Sequence, residues 1–340
     1  MKLLITPVLS LLLNCNVLAV PQEDTVFYQP VRLWFNAWEL VSRDIYKVYQ
    51  LKPVDFIFFD DQYVYSSSRI TVPAGETIEG PSLLQQSFLW KKMLHHDSIR
   101  LPDQTVQAVN IMSFAAKPTG KNSRPFFIMP LPSFWEKAGI TSKELGARKL
   151  FTAVFLHEFS HSQQMQNFGK QITWLEKKYQ SGSSFSDDIV QDIFSNDSLF
   201  KSCHEEETAL FYAAAASTTP SLRDSLTQLG LRKYRERQER FFTGKYSLLK
   251  EADDLFLTME GLGQFTMYAW LTHPKGANLP AATAITGVRR GKKWWSQDEG
   301  FALFLALQQY ASTATWAPEM FGNRVTAVIS LLRKTMVKSH

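Results

Sequence analysis

The spacing of apolar residues changes character along the chain. Between Pro30 and Leu51, Trp34, Trp38, Val41, Ile45 and Val48 recur every three or four residues, which predicts an amphipathic helix. Val54–Phe59 and Tyr63–Tyr65 are instead runs of aromatic and β-branched residues, and they predict two strands with a turn at Asp60-Asp61. Ser66–Pro81 carries Ser, Pro and Gly and reads as loop. Thr105–Ala116 and Arg124–Leu131 are two further strand candidates, joined by the turn-rich segment Lys117–Ser123. These runs together predict an antiparallel or mixed sheet that precedes a long helix.

That helix contains Leu150, Val154, Phe155, Leu156 and Phe159, and is apolar enough to be buried. Thr141-Ser142-Lys143-Glu144 has the form of a capping box at its start, and Gly169 stands where a C-terminal cap is expected. Beyond it the pattern is helical. The polar loop Ser181–Asp187 is the best lobe boundary and is placed to border a cleft. Ser202-Cys203-His204-Glu205 reads as a capping box opening a helix that stops before Pro220, and Thr219-Pro220 opens the next. The charged run Leu231–Arg240 then reads as a solvated face of ion pairs. Tyr246–Leu271 is a second long apolar helix, and Gly261 and Gly263 within it predict close approach of a neighbouring helix. Apolar helices at Glu299–Tyr310 and Asn323–Lys338 complete the chain. The expected fold class is therefore α+β, with a mixed lobe over residues 20–180 and a helical lobe over 181–340.

Composition bounds this picture. The 340 residues are 45 % hydrophobic and 20 % charged, ordinary for a globular protein. The net charge of +5 is spread among acidic residues and forms no arm, so no nucleic-acid partner is expected. Residues 1–19, a short basic start and the apolar run Leu3–Leu13 ending in Val17-Leu18-Ala19, read as a secretory signal peptide, which implies a secreted or periplasmic protein. Lipidation at Cys15 is the rival reading. No later stretch reaches transmembrane length. Only Cys203 remains after cleavage, so no intramolecular disulfide is expected.

The chemistry concentrates in His157-Glu158-Phe159-Ser160-His161. Residues four apart share a helix face, so both imidazoles can grip one metal ion, and Glu158 is placed to take a proton from metal-bound water. Three ionisable groups in so apolar a helix need partners, and a metal supplies one. The adjacent pair His95-His96 diverges on either a helix or a strand and is not read as a site.

His157–His161 together with Glu260-Gly261-Leu262-Gly263 resembles the gluzincins, zinc metallopeptidases in which H-E-x-x-H supplies two ligands and a glutamate on a later helix the third. The resemblance implies a zincin-like fold, zinc held by His157, His161 and Glu260, water at the fourth position, Glu158 as general base, and a peptide or protein substrate. Glu260 follows His161 at a longer separation than in the best-known members. Glu205, Glu206, Glu207, His204 and Cys203 therefore stand as competing third ligands. Tyr268, on the face of Glu260, is the first candidate for stabilising an oxyanion, ahead of Tyr212 and His273. A zinc hydrolase of non-peptide amides or cell-wall crosslinks, and a non-catalytic secreted interaction protein, are the alternative readings.

Overall fold

A computed structural model of the chain describes residues 25–117, 124–179, 185–291 and 293–338. The expected signal peptide, with Cys15, lies outside these residues. The fold is a mixed α/β one.

The chain enters through α1 (Thr25–Leu40), which starts before Pro30 and carries that proline inside it. Its apolar stripe, Phe27, Val31, Trp34 and Trp38, runs across the proline and is buried on both sides of it, so packing outweighs the lost backbone hydrogen bond. A single π-helical turn, Val41–Tyr46, ends the element at Lys47, whose φ of 56° turns the chain into the sheet. The strands are β1 (Asp55–Phe59), β2 (Tyr63–Ser66), β3 (Glu76–Thr77), β4 (Lys91–Leu94), β5 (Ser98–Arg100), β6 (Val106–Ala108), β7 (Phe114–Ala116) and β8 (Phe126–Pro130). Asp60 fixes the first turn, its Oδ1 accepting from the amides of Gln62 and Tyr63 at 2.8 and 2.7 Å.

Six strands form one sheet in the order β3-β4-β2-β1-β8-β7, and β5 pairs with β6 separately. β1 runs parallel to β8, while the other pairs are antiparallel, which makes the sheet mixed. The apolar run at 105–116 is thus two strands serving two sheets, with β6 on β5 and β7 on β8. Both faces of β1 are buried: Phe56 and Phe58 face α1, and Ile57 and Phe59 face a smaller cluster with Ile99 and Leu101.

Helices follow: α2 (Pro132–Lys137), α3 (Gly146–Gln164), α4 (Phe168–Lys178), α5 (Ile189–Phe194), α6 (Ser198–Ala216), α7 (Pro220–Phe241), α8 (Leu249–Thr272), α9 (Ala281–Val288), α10 (Trp295–Gln308), α11 (Thr313–Met320) and α12 (Val328–Lys338). Two expected boundaries move. Ser142 Oγ accepts from the Leu145 amide at 3.1 Å ahead of α3, and Gly169 lies inside α4, because the chain turns and resumes a helix at once. α6 begins at Ser198 rather than near Glu205, because Asp197 accepts from the amides of Leu199 and Phe200, both at 3.0 Å. Glu205–Glu207 are therefore mid-helix residues, not a first turn.

α3 lies against α1 and the sheet through aromatic rings: Phe155 stacks on Trp34 of α1 at 5.6 Å and meets Phe127 of β8 edge-on at 5.4 Å, and Phe159 stacks on Phe56 of β1 at 5.5 Å. On its other side α3 packs on α8, α8 on α10, and α10 on α6. The principal core includes residues from before and after residue 181. Truncating the fully buried Phe155 to alanine is expected to cost about 3–5 kcal/mol, read as a lower denaturant midpoint at unchanged slope.

Candidate metal centre

α3 presents His157 and His161 on the face it turns to α8, and α8 presents Glu260 in return. His157 Nε2 lies 3.0 Å from His161 Nε2 and 3.2 Å from Glu260 Oε2, and His161 Nε2 lies 3.2 Å from Glu260 Oε1. All three residues are buried. The approach depends on Gly263: a Cβ there would fall 2.5 Å from His157 Nδ1, so only glycine lets the imidazole lie against α8. Gly261 serves a different neighbour, touching the backbone of Gly300 on α10.

The electrostatics describe a site ready for a cation. Burial holds His157 down at about 4, so it presents a neutral ring. Burial also opposes charge on His161, but the carboxylates of Glu260 and Glu158 outweigh it and lift the group to about 9. Burial likewise works against an ionised Glu260, yet His161 and His157 hold it well below the usual carboxylate range. Burial, with Glu260 and Asp187 adding to it against His161, pushes Glu158 up to about 8. Among the described residues, these two histidines and Glu260 are the one group of three or more such side chains able to converge on a single ion.

The group borders a cleft of about 320 Å³. Glu158 lines it without joining the ligand cluster, and β7 with the preceding Ser113 forms part of its wall. Three further polar residues bear on the site and were missed as site residues in sequence. Gln297 of α10 donates to Glu260 Oε2 at 3.2 Å while accepting from Gln264 at 2.7 Å, a link only the α8–α10 contact creates. Asp187 lines the cleft, at the end of the polar loop expected to border one; residues 181–184 of that loop lie outside the described residues. Arg290, from the basic stretch after α9, is depressed by burial, with the charge of Glu158 opposing that shift.

Three of the five competing ligands are engaged elsewhere, and Cys203 and Glu205 do not join the cluster of His157, His161 and Glu260. Glu206 pairs with Lys233 at 3.1 Å, Glu207 with the buried Arg237, and His204 faces Glu299 at 3.1 Å. Arg237 itself departs from the expected solvated face of α7, whereas Arg232–Glu236 and Arg235–Glu239 pair on it at helical spacing. The three oxyanion candidates do not line the cleft. Tyr268 packs on Phe265 and Phe301, Tyr212 donates to Asp298 at 2.9 Å, and His273 accepts from the Lys275 amide at 3.2 Å. No family model, curated protein or solved structure matches the chain.

Two outcomes are expected. Gly263→Ala displaces the His157 ring and weakens metal affinity ~10–100-fold, the range found for disturbed ligand support, whereas Glu260→Ala weakens it further; chelator competition measures both. Binding also requires a neutral His161, which is protonated in the metal-free protein below about pH 9. Each ion therefore expels that proton, and affinity rises about tenfold per pH unit between pH 7 and 8. Calorimetry in buffers of different ionisation enthalpy reads the proton release directly.

Proposed function

We propose that the protein is a zinc-dependent metallopeptidase of zincin-like architecture, exported by its N-terminal segment. The observation that carries the reading is the convergence of His157, His161 and Glu260 beside a cleft into which Glu158 projects without being a ligand. Two imidazoles and one carboxylate are a donor set that zinc accepts in tetrahedral geometry with one position left open. Zinc bound there would supply a water acidified to near neutrality and a Lewis acid for a carbonyl oxygen.

The protein's own groups do the rest. Burial makes the Glu158 carboxylate more basic than usual, and with a bound cation beside it favouring the ionised form it would accept a proton from water and return it to a leaving amine. Gln297 orients Glu260 through its amide, and Gln264 fixes Gln297 in turn. β7 is an edge of the six-stranded sheet among the described residues, and an edge strand on a cleft wall favours an extended peptide over a compact amide. Among the described residues no helix is long and apolar enough to cross a membrane.

Glu158→Gln should retain the metal and lower hydrolysis of an unfolded protein such as casein by at least the 10²–10⁴-fold typical of a lost general base. Chelation should abolish the wild-type activity and added zinc restore it. Zinc loss in Glu158→Gln, or activity close to wild type, refutes the assignment.

A further inference from the structure

The helices that build the metal centre have partial copies beside them. α3 carries His157-Glu158-Phe159-Ser160-His161 and α6 carries His204-Glu205-Glu206-Glu207-Thr208, so the second run keeps the opening His-Glu pair and has threonine where the first has its second histidine, while the two intervening residues differ. α8 carries Glu260-Gly261-Leu262-Gly263 and α10 carries Glu299-Gly300-Phe301-Ala302. The four pack in the order α3-α8-α10-α6. Its centre is the crossing of α8 and α10, where a Cβ on Gly261 would fall 2.4 Å from the Gly300 carbonyl carbon.

The polar atoms repeat as well. His157 meets Glu260 at 3.2 Å, and His204 meets Glu299 at 3.1 Å. His157, Glu158 and His161 line the cleft already described; His204, Glu205 and Thr208 line another of about 290 Å³ with Arg289 and Asp298, and Glu299 lies behind His204 in a small void of about 10 Å³. Trp295 stacks on His204 at 4.7 Å and fixes its ring. His204 is 5 % exposed, Thr208 6 % and Glu299 0 %; His204 and Glu299 face each other, whereas Thr208 Oγ1 makes no hydrogen bond. A buried hydroxyl without a partner is costly unless something occupies the space beside it.

Charge points the same way. Glu207, Asp253 and Glu299 all lie within 3.6 Å of Arg237, so three carboxylates surround one guanidinium. Three carboxylates and one guanidinium are balanced only when two further positive charges are supplied. Protons on the buried Glu207 and Glu299 are one source and a divalent cation is another.

We propose that His204, Glu299 and Thr208 form a second divalent-metal site, a degenerate copy of the first that takes a transition-metal ion. With a hydroxyl in place of an imidazole it holds the ion more weakly, and water from its cleft completes the shell. The inference takes the metal reading of the first centre as its template.

Equilibrium titration of the full-length protein with Zn²⁺ tests it. Wild type should bind two equivalents, one tight and one weaker; His157→Ala/His161→Ala should lose only the tight one and His204→Asn only the weaker. Thr208→Val, nearly isosteric and so compatible with folding, should weaken the second at least tenfold and leave the first unchanged. A single wild-type equivalent abolished by His157→Ala/His161→Ala overturns the second site. So does a second equivalent that survives both His204→Asn and Thr208→Val, which marks surface binding. A single equivalent abolished by His204→Asn alone upholds this site and refutes the first centre instead.

Discussion

Helix α8 is buried on almost every side, and the rest of the helical part is arranged by the need to cover it. A helix that is apolar all round must accept neighbours on more than one face, and their distance is set by the smallest side chains at each contact. Gly263 lets α3 come close enough to place an imidazole against α8, and Gly261 does the same for the backbone of α10. Glu260 stands between these two contacts. Its burial, its pairing with both histidines and its hold on Gln297 all follow from that position.

A buried carboxylate is tolerated only with compensation. The molecule achieves this twice by different means. At Glu260 two imidazoles and a side-chain amide surround the charge, whereas at Glu207, Asp253 and Glu299 the neighbouring cation is Arg237, which lies on the buried stripe of α7. The aromatic layer between α3 and the sheet contributes in another way, because stacked and edge-on rings around Phe155 and Phe159 leave α3 little freedom to rotate its histidines away.

The parts legible in sequence were those with a local cause. The H-E-x-x-H spacing, the hydrophobic strands at 55–59 and 126–130, the Thr219-Pro220 helix start and the glycines of α8 each act within a few residues. Glu260 was legible because a carboxylate just ahead of two glycines in an apolar helix needs a partner. β4 was not, since its polar sequence Lys91-Lys92-Met93-Leu94 gains its strand character from pairing with β2. The burial of Arg237 was also hidden, because its charge masks a place in the buried stripe of Thr227, Gly230, Tyr234 and Gln238 on α7. Gln297 and Asp187 reach the centre through contacts across the fold, which no local pattern encodes. Tyr268 illustrates the reverse error: sharing a helix face with Glu260 placed it two turns away among phenylalanines rather than at the cleft.

β7 has one more consequence. Three residues at ~3.3 Å each give an edge only about 10 Å long. An extended chain laid along it gains few backbone hydrogen bonds, and those bonds are indifferent to side-chain identity. Discrimination among guests then falls to the cleft walls, where Phe114, Ile172, Phe185 and Phe256 offer apolar surface and Asp187 a carboxyl group. Were a peptide to bind there, a mouth built this way would grip it weakly along its length and read its chemistry at one or two positions.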